Sequence, residues 1–153
     1  MDHLISTAVG TQWVGDFAKC QCDAALLKHS AILEAACEQI VDASGLKIMG
    51  RAFHQFAPEG ATGLFLLAES HLAIHTWPEF ASVAIDLYVC NVTEDNSEKA
   101  KTVFEKLVTL FSPEHCQHQV IHRGGVSLHQ QPLGAQRVPS SVASACANDI
   151  GFG

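Results

Sequence analysis

The stretch "SVAIDLYVC" (82–90) alternates without interruption. Val83, Ile85, Leu87 and Val89 fall on one side of an extended chain. Ser82, Ala84, Asp86, Tyr88 and Cys90 fall on the other. A period of two over this length fits a strand and not a helix, whose faces repeat about every 3.6 residues. It also requires a sheet with one buried apolar face and one face of small and polar groups.

The remaining elements extend that sheet. "TQWVGDFA" (11–18) alternates and reads as a first strand. Asp23 can cap a helix running to about Ala43, with Leu26, Leu33, Cys37 and Ile40 on one face and Gly45 at its end. "LKIMGRAFHQF" (46–56) reads as a second strand and "PEGATG" as a turn. "LFLLA" begins a third strand, which "HLAIHTW" either continues or follows after a short break. "DNSE" (95–98) has the pattern of a capping box. The helix after it places Ala100, Val103, Phe104, Leu107, Val108 and Phe111 on one stripe, and Pro113 closes it. "QHQVIHRG" is a last short strand.

The expected order is β-α-β-β-β-α-β. This is an α+β fold: a two-layer sandwich, mainly antiparallel, with two helices on one face of the sheet. The uncovered face then calls for a partner subunit. Residues 1–130 are read as one domain and 131–153, small and polar without pattern, as a flexible tail.

With 153 residues, 48% of them hydrophobic, the chain can build a real core. No run approaches the ~18 apolar residues of a membrane span, and "MDHLISTAVG" lacks the features of a signal peptide. The formal net charge is −7 and the nine Lys and Arg residues are scattered, which argues against a nucleic-acid partner. Six cysteines without an export signal read as reduced thiols in the cytoplasm. Cys20 and Cys22 have C-x-C spacing, but no second pair completes a zinc site, so no metal is expected.

The polar groups concentrate in "AESHLAIHTWPEF" (68–80). Buried strands carry such groups only where each has a partner or a task. Alternation puts Leu72, Ile74 and Thr76 on one face and His71, Ala73, His75 and Trp77 on the other. If this segment pairs with 82–90, His75 and Cys90 can approach each other, as a nucleophile or acid with its partner. On pattern alone, Cys90 also reads as a small buried hydrophobe and His75 as a core imidazole. On pattern alone Phe56 reads as a core aromatic, and Glu79 as a solvated turn residue.

The order "ESHLAIHTWPE", with a Cys twenty residues after the serine, resembles the prokaryotic S-adenosylmethionine decarboxylase family. The resemblance extends to "FHQF", "GATG", "AIDLYVC" and "HRG", over roughly residues 10–125. It implies a proenzyme that cuts itself between Glu69 and Ser70. The Ser70 hydroxyl attacks the Glu69 carbonyl to form an ester. Elimination then frees the Glu69 carboxyl end and leaves dehydroalanine. Hydrolysis of the dehydroalanine, with loss of ammonia, leaves a pyruvoyl group, the self-derived cofactor, which forms a Schiff base with the substrate and acts as electron sink.

The resemblance assigns His75 as proton acceptor in processing and Cys90 as proton donor in catalysis. Thr62 stands where a serine commonly assists ester formation. Phe56 corresponds to an aromatic that stacks on adenine and attracts the sulfonium. Glu79 corresponds to the carboxylate that holds the ribose hydroxyls. His71 follows the cut site without an assigned role. Gln12 stands where members often have His, and Asn91 where glycine is usual.

The implied product is the aminopropyl donor for spermidine, made by a homodimer with active sites between protomers. Two other readings compete: a pyruvoyl enzyme acting on ornithine or arginine, and a non-catalytic regulatory paralogue. Phe56 and Glu79 favour the nucleoside substrate. The presence of Ser70, His75 and Cys90 favours catalysis.

Overall fold

The computed structural model describes residues 10–124. The proposed tail 131–153 and the boundary at 130 lie outside them. Six strands form one antiparallel sheet: β1 (Gly10–Cys20), β2 (Ile48–Gln55), β3 (Ala61–Leu67), β4 (Ser70–Trp77), β5 (Ser82–Cys90) and β6 (Pro113–Arg123). Their order across the sheet is β2-β3-β4-β5-β1-β6. Helices α1 (Ala24–Lys28) and α2 (Ser30–Ser44) join β1 to β2, and α3 (Ser97–Phe111) joins β5 to β6. The α+β class and the half-covered antiparallel sheet are as the alternation requires.

β5 behaves as its pattern dictates. Val83, Ile85, Leu87 and Val89 are buried, while their alternating neighbours are half-exposed. Leu72 and Ile74 of β4 and Phe65 of β3 continue the same apolar face. Leu33, Cys37 and Val41 of α2 and Val103, Phe104, Leu107 and Phe111 of α3 complete the core. Completely burying a side chain of this size contributes about 1.5–3 kcal/mol, so this double layer is the main source of stability.

The last strand, expected to be short, runs eleven residues from Pro113, and three further elements differ from the sequence-based expectation. The third strand is a hairpin: β3 ends at Leu67, Ala68 and Glu69 form the turn, and Leu67 pairs with Ser70 at the start of β4. The observed order thus has one more strand than β-α-β-β-β-α-β. Nothing in "AE" marks a tight turn, which normally calls on Gly, Asn or Asp.

The first helix is broken at His29, whose backbone is extended (φ −118°, ψ 117°). Gln55, from β2, fills the gap. Its amide donates to the Lys28 carbonyl at 2.7 Å, and its oxygen accepts from the Ser30 N–H at 2.7 Å. Two helix-end groups that a continuous helix would pair internally are thereby satisfied by one distant side chain.

The cap of α3 is also displaced by one residue. Asn96 stands at the N-cap and makes no capping bond with its side chain. Asp95 accepts from the Ser97 N–H at 2.9 Å instead. That bond, first, holds the Asp95 carboxyl below its ordinary pKa.

α3 presses close to the sheet at Gly15. A Cβ there would lie 2.9 Å from the Phe104 ring and 3.2 Å from the Phe17 ring. Gly15→Ala should therefore lower stability by about 1–3 kcal/mol through overpacking. A thermal melt followed by circular dichroism reads this directly. An unchanged Tm would mean that Phe104 does not press on the strand at this point.

Candidate active site

The residues singled out in the sequence gather at two opposite ends of the sheet. Glu69 and Ser70 lie at the β3–β4 turn, where the Glu69 carboxylate accepts from Thr93 Oγ1 at 3.3 Å. Cys90 ends β5 and pairs in register with Gly10 of β1. His71 lies opposite Tyr88. Continued by two residues, that register brings Cys90 beside Glu69 and next to Ser70.

His75 lies elsewhere. Its partner on β5 is Ala84, six residues from Cys90. At about 3.4 Å per residue this separation is roughly 20 Å. The expected approach of His75 to Cys90 therefore does not occur within one chain. Alternation places both on the same open face, but only the register decides which end of it each occupies. Ser70 and His75 are likewise five residues apart along β4, roughly 17 Å.

At the His75 end, cross-strand partners Thr62 and His75 meet, with Thr62 Oγ1 2.6 Å from His75 Nδ1. They line a cavity of about 610 Å³ together with Phe56, Glu59, Trp77 and Glu79. This is within the ~300–1,000 Å³ range of small-molecule sites. Phe56 and Trp77 are 47% and 43% exposed, so aromatic surface faces the opening. Glu79 is carried by a short 3-10 turn, Pro78–Phe80, that directly follows β4.

One buried hydroxyl and several more exposed polar groups hold the cavity wall. The Thr76 hydroxyl accepts from the Ala61 N–H at 2.9 Å and donates to the Leu27 carbonyl at 2.8 Å. The Gln55 amide also donates to the Gly60 carbonyl at 2.9 Å, so the helix break and the turn beginning at Phe56 share one clamp. Glu59 pairs with Lys28 at 3.1 Å across that turn.

A polar row crosses the open face between the two ends. Arg123 donates to Gln12 Oε1 at 3.2 Å, and Gln12 Nε2 donates to Asp86 Oδ1 at 2.8 Å. Asp86 Oδ1 lies 3.4 Å from His71 Nε2. Arg123 also sits 5.0 Å from the centre of the Tyr88 ring. Leu64 and Leu66 of the same face are 40% and 53% exposed.

Of the residues that sequence reasoning singled out, Phe56, Thr62, His75 and Glu79 line the cavity and Ser70 and Cys90 do not; it singled out neither Trp77 as a cavity wall nor Gln55 as its brace. Trp77 shared the alternating face of His75, and that signal alone pointed to it. Gln55 carried no local signal.

Burial disfavours the thiolate at the two buried cysteines among the described residues, Cys20 and Cys37. Burial pushes Cys37 up to about 12. Burial and then the neighbouring Cys22 raise Cys20 to about 11. Among the described residues, no three potential ligands gather around a point that would hold a metal ion, and no helix is long and apolar enough to cross a membrane.

The sequence profile of the S-adenosylmethionine decarboxylases matches residues 11–124, which include both ends of the site. The chain belongs to the S-adenosylmethionine decarboxylase family. It is similar to an S-adenosylmethionine decarboxylase proenzyme of Archaeoglobus fulgidus, 36% identical over 99 residues that span 65% of this chain and 85% of that one. A proenzyme of the same family from Persephonella marina is 35% identical over 112 residues, 73% of this chain and 81% of that one. The crystal structure of the adenosylmethionine decarboxylase from Aquifex aeolicus VF5 superimposes with a TM-score of 0.71 at 29% identity, over 80% of this chain and 97% of that one. The family fold therefore accounts for the arrangement of sheet and helices described here.

Proposed function

We propose that this chain is a self-cleaving proenzyme that becomes a pyruvoyl-dependent S-adenosylmethionine decarboxylase feeding spermidine synthesis. The observation that carries this reading is the cavity of Phe56, Thr62, His75 and Glu79, within a chain whose hairpin turn presents Glu69–Ser70. Aromatic surface suits adenine and a sulfonium, and a carboxylate can accept from two vicinal ribose hydroxyls. Ornithine and arginine offer neither group to these contacts.

Ser70 fits the precursor role because the pairing ladder of the hairpin stops at Leu67 and Ser70. The Glu69 backbone thus lies outside the ladder, where its carbonyl can be approached by the Ser70 hydroxyl. The pyruvoyl ketone, once formed, supplies the carbonyl that condenses with the substrate amine and takes up the electron pair released with carbon dioxide.

The remaining roles belong to side chains. Cys90 is proposed to hand a proton to the substrate carbon, a role supported by the register that continues it beside the Glu69–Ser70 turn. His75 is proposed to accept the proton lost on elimination, with Thr62 hydrogen-bonded to it to assist ester formation. Phe56 and Glu79 orient the substrate.

Because Ser70 and Cys90 lie roughly 17–20 Å from His75 in one chain, the complete site is proposed to form in a homodimer. A two-fold axis lying between two stacked open faces, perpendicular to the strands, would set the Ser70 end of one protomer over the His75 end of its partner. The exposed Leu64 and Leu66 and the small Ala52, Ala73 and Ala84 on that face support such stacking. A cytoplasmic setting is proposed with it, supported by free thiols at Cys20, Cys22, Cys37, Cys90 and Cys116.

Three measurements follow. Intact mass should show fragments 1–69 and 70–153, the second blocked to Edman sequencing, whereas Ser70→Ala should remain one chain. Cleavage of the Ala variant at the same bond would refute the serine mechanism.

Co-expression of a tagged Ser70→Ala chain with a differently tagged His75→Ala chain tests the shared site. If His75 acts on its partner, the His75→Ala chain should be cut in the mixed dimer and uncut when alone. If His75 acts within its own chain, neither tag should appear on a fragment.

Release of labelled carbon dioxide should occur from S-adenosylmethionine and not from ornithine, arginine or lysine. Phe56→Ala and Glu79→Gln should each lower kcat/KM roughly 5- to 150-fold, as expected for a lost stacking contact or charged hydrogen bond. Release from a basic amino acid alone would overturn the substrate assignment and leave the cleavage chemistry intact.

A further inference from the structure

Cys90 is the last residue of β5, and strand ends open more readily than strand centres. A closed set of hydrogen bonds holds this one. Asn96 Nδ2 donates to the Cys90 carbonyl at 2.9 Å. Asn96 is 8% exposed and stands at the N-cap of α3, yet its amide is turned back toward β5. Capping of the helix passes to Asp95.

Asn91, the residue after Cys90, closes the set. Its oxygen accepts from the Asn96 N–H at 2.9 Å, and its amide donates to Ser97 Oγ at 3.0 Å. Ser97 Oγ lies 3.3 Å from the hydroxyl of Thr11, a buried residue of β1. Thr11 neighbours Gly10, the register partner of Cys90. The end of β5, the loop after it, the start of α3 and the start of β1 are thereby joined around one thiol-bearing residue. A glycine at position 91 would supply neither bond of the Asn91 side chain.

We infer that Asn96, supported by Asn91, is a positioning residue that fixes where the Cys90 thiol delivers its proton. The inference rests on the reading of Cys90 as proton donor. Position matters because the electron pair freed with carbon dioxide is shared between two carbons. A proton placed on the substrate carbon lets water restore the ketone and release the amine product. A proton placed on the carbon derived from Ser70 leaves the substrate nitrogen on the protein. Water then releases the substrate as an aldehyde, and the chain terminus becomes alanine.

Two readouts separate the inference from the reading beneath it. In the uncut Ser70→Ala background, iodoacetamide labelling of Cys90 is followed by peptide mapping, with exposed Cys116 as internal reference. Asn96→Asp keeps a good N-cap residue but removes the donor to the Cys90 carbonyl. It should speed Cys90 labelling roughly 3- to 10-fold, the effect of one hydrogen bond of ordinary net strength, and leave Cys116 unchanged. Asn91→Gly should shift Cys90 in the same direction by less.

In the processed enzyme, Edman sequencing after turnover counts termini converted to alanine. Asn96→Asp should raise the fraction converted per turnover by a similar factor, a ratio that a mere loss of folded molecules would not change. Cys90→Ala is the control. If it raises the fraction while both Asn variants match the parent in labelling and conversion, the positioning role is overturned and the donor reading stands. If Cys90→Ala leaves the fraction unchanged, the donor reading fails and the proton-positioning role fails with it. Labelling then still reports whether Asn96 holds the strand end.

Discussion

The asymmetry of the sheet is the constraint on which everything else rests. Strict alternation along β4 and β5 sends Leu72, Ile74, Val83, Ile85, Leu87 and Val89 to the helices. The same alternation leaves His71, His75, Asp86, Tyr88 and Cys90 on the opposite face. A slip of one residue would exchange the two sets, burying charge and exposing the core. The apolar face therefore fixes the chemistry of the other face without touching it. Gly15 is part of the same condition, because α3 can seat on the core only where the strand has no side chain in its way.

The antiparallel register adds a second condition, distance. Residues close in sequence, Ser70 and His75, are held at opposite ends of one rigid strand. Residues distant in sequence, Thr62 and His75, or Gln55 and Lys28, are brought within hydrogen-bonding reach. One end carries the Glu69–Ser70 bond and a thiol, the other the cavity. Neither end contains all the groups the proposed chemistry needs. The oligomer is then part of the reaction as proposed, and the stability of the stacked faces bears on activity directly.

Much of this was legible from residue order. β5, the α3 stripe, the Asp23 cap and the faces of β4 follow from periodicity and local cap chemistry. What was not legible depends on non-local partners. The helix break at His29 needs Gln55, twenty-odd residues on, and the turn at Ala68–Glu69 lacks turn-forming residues. Alternation told which face His75 and Cys90 occupy, but register, a property of two strands, decided that they lie far apart. The shift from Asp95 to Asn96 at the start of α3 has the same origin: Asn96 is drawn back by the Cys90 carbonyl. The candidate site residues were assigned by resemblance, since pattern alone read several of them as ordinary core or turn.

The strand order gives the hairpin turn a mechanical meaning. A break between Glu69 and Ser70 divides the strands into β1, β2 and β3 on one piece and β4, β5 and β6 on the other. In space the two sets interleave, because β1 of the first piece is inserted between β5 and β6 of the second. Two severed chains would thus remain threaded through a single sheet, and pulling them apart would require unzipping β1 along both of its edges as well as β3 from β4. Once separated, they would meet again only as a bimolecular encounter, without the tether that makes closure of the intact chain inexpensive in entropy. Order of events is thereby built into the topology: the polypeptide must fold while whole, and the cut can follow without undoing what folding has made.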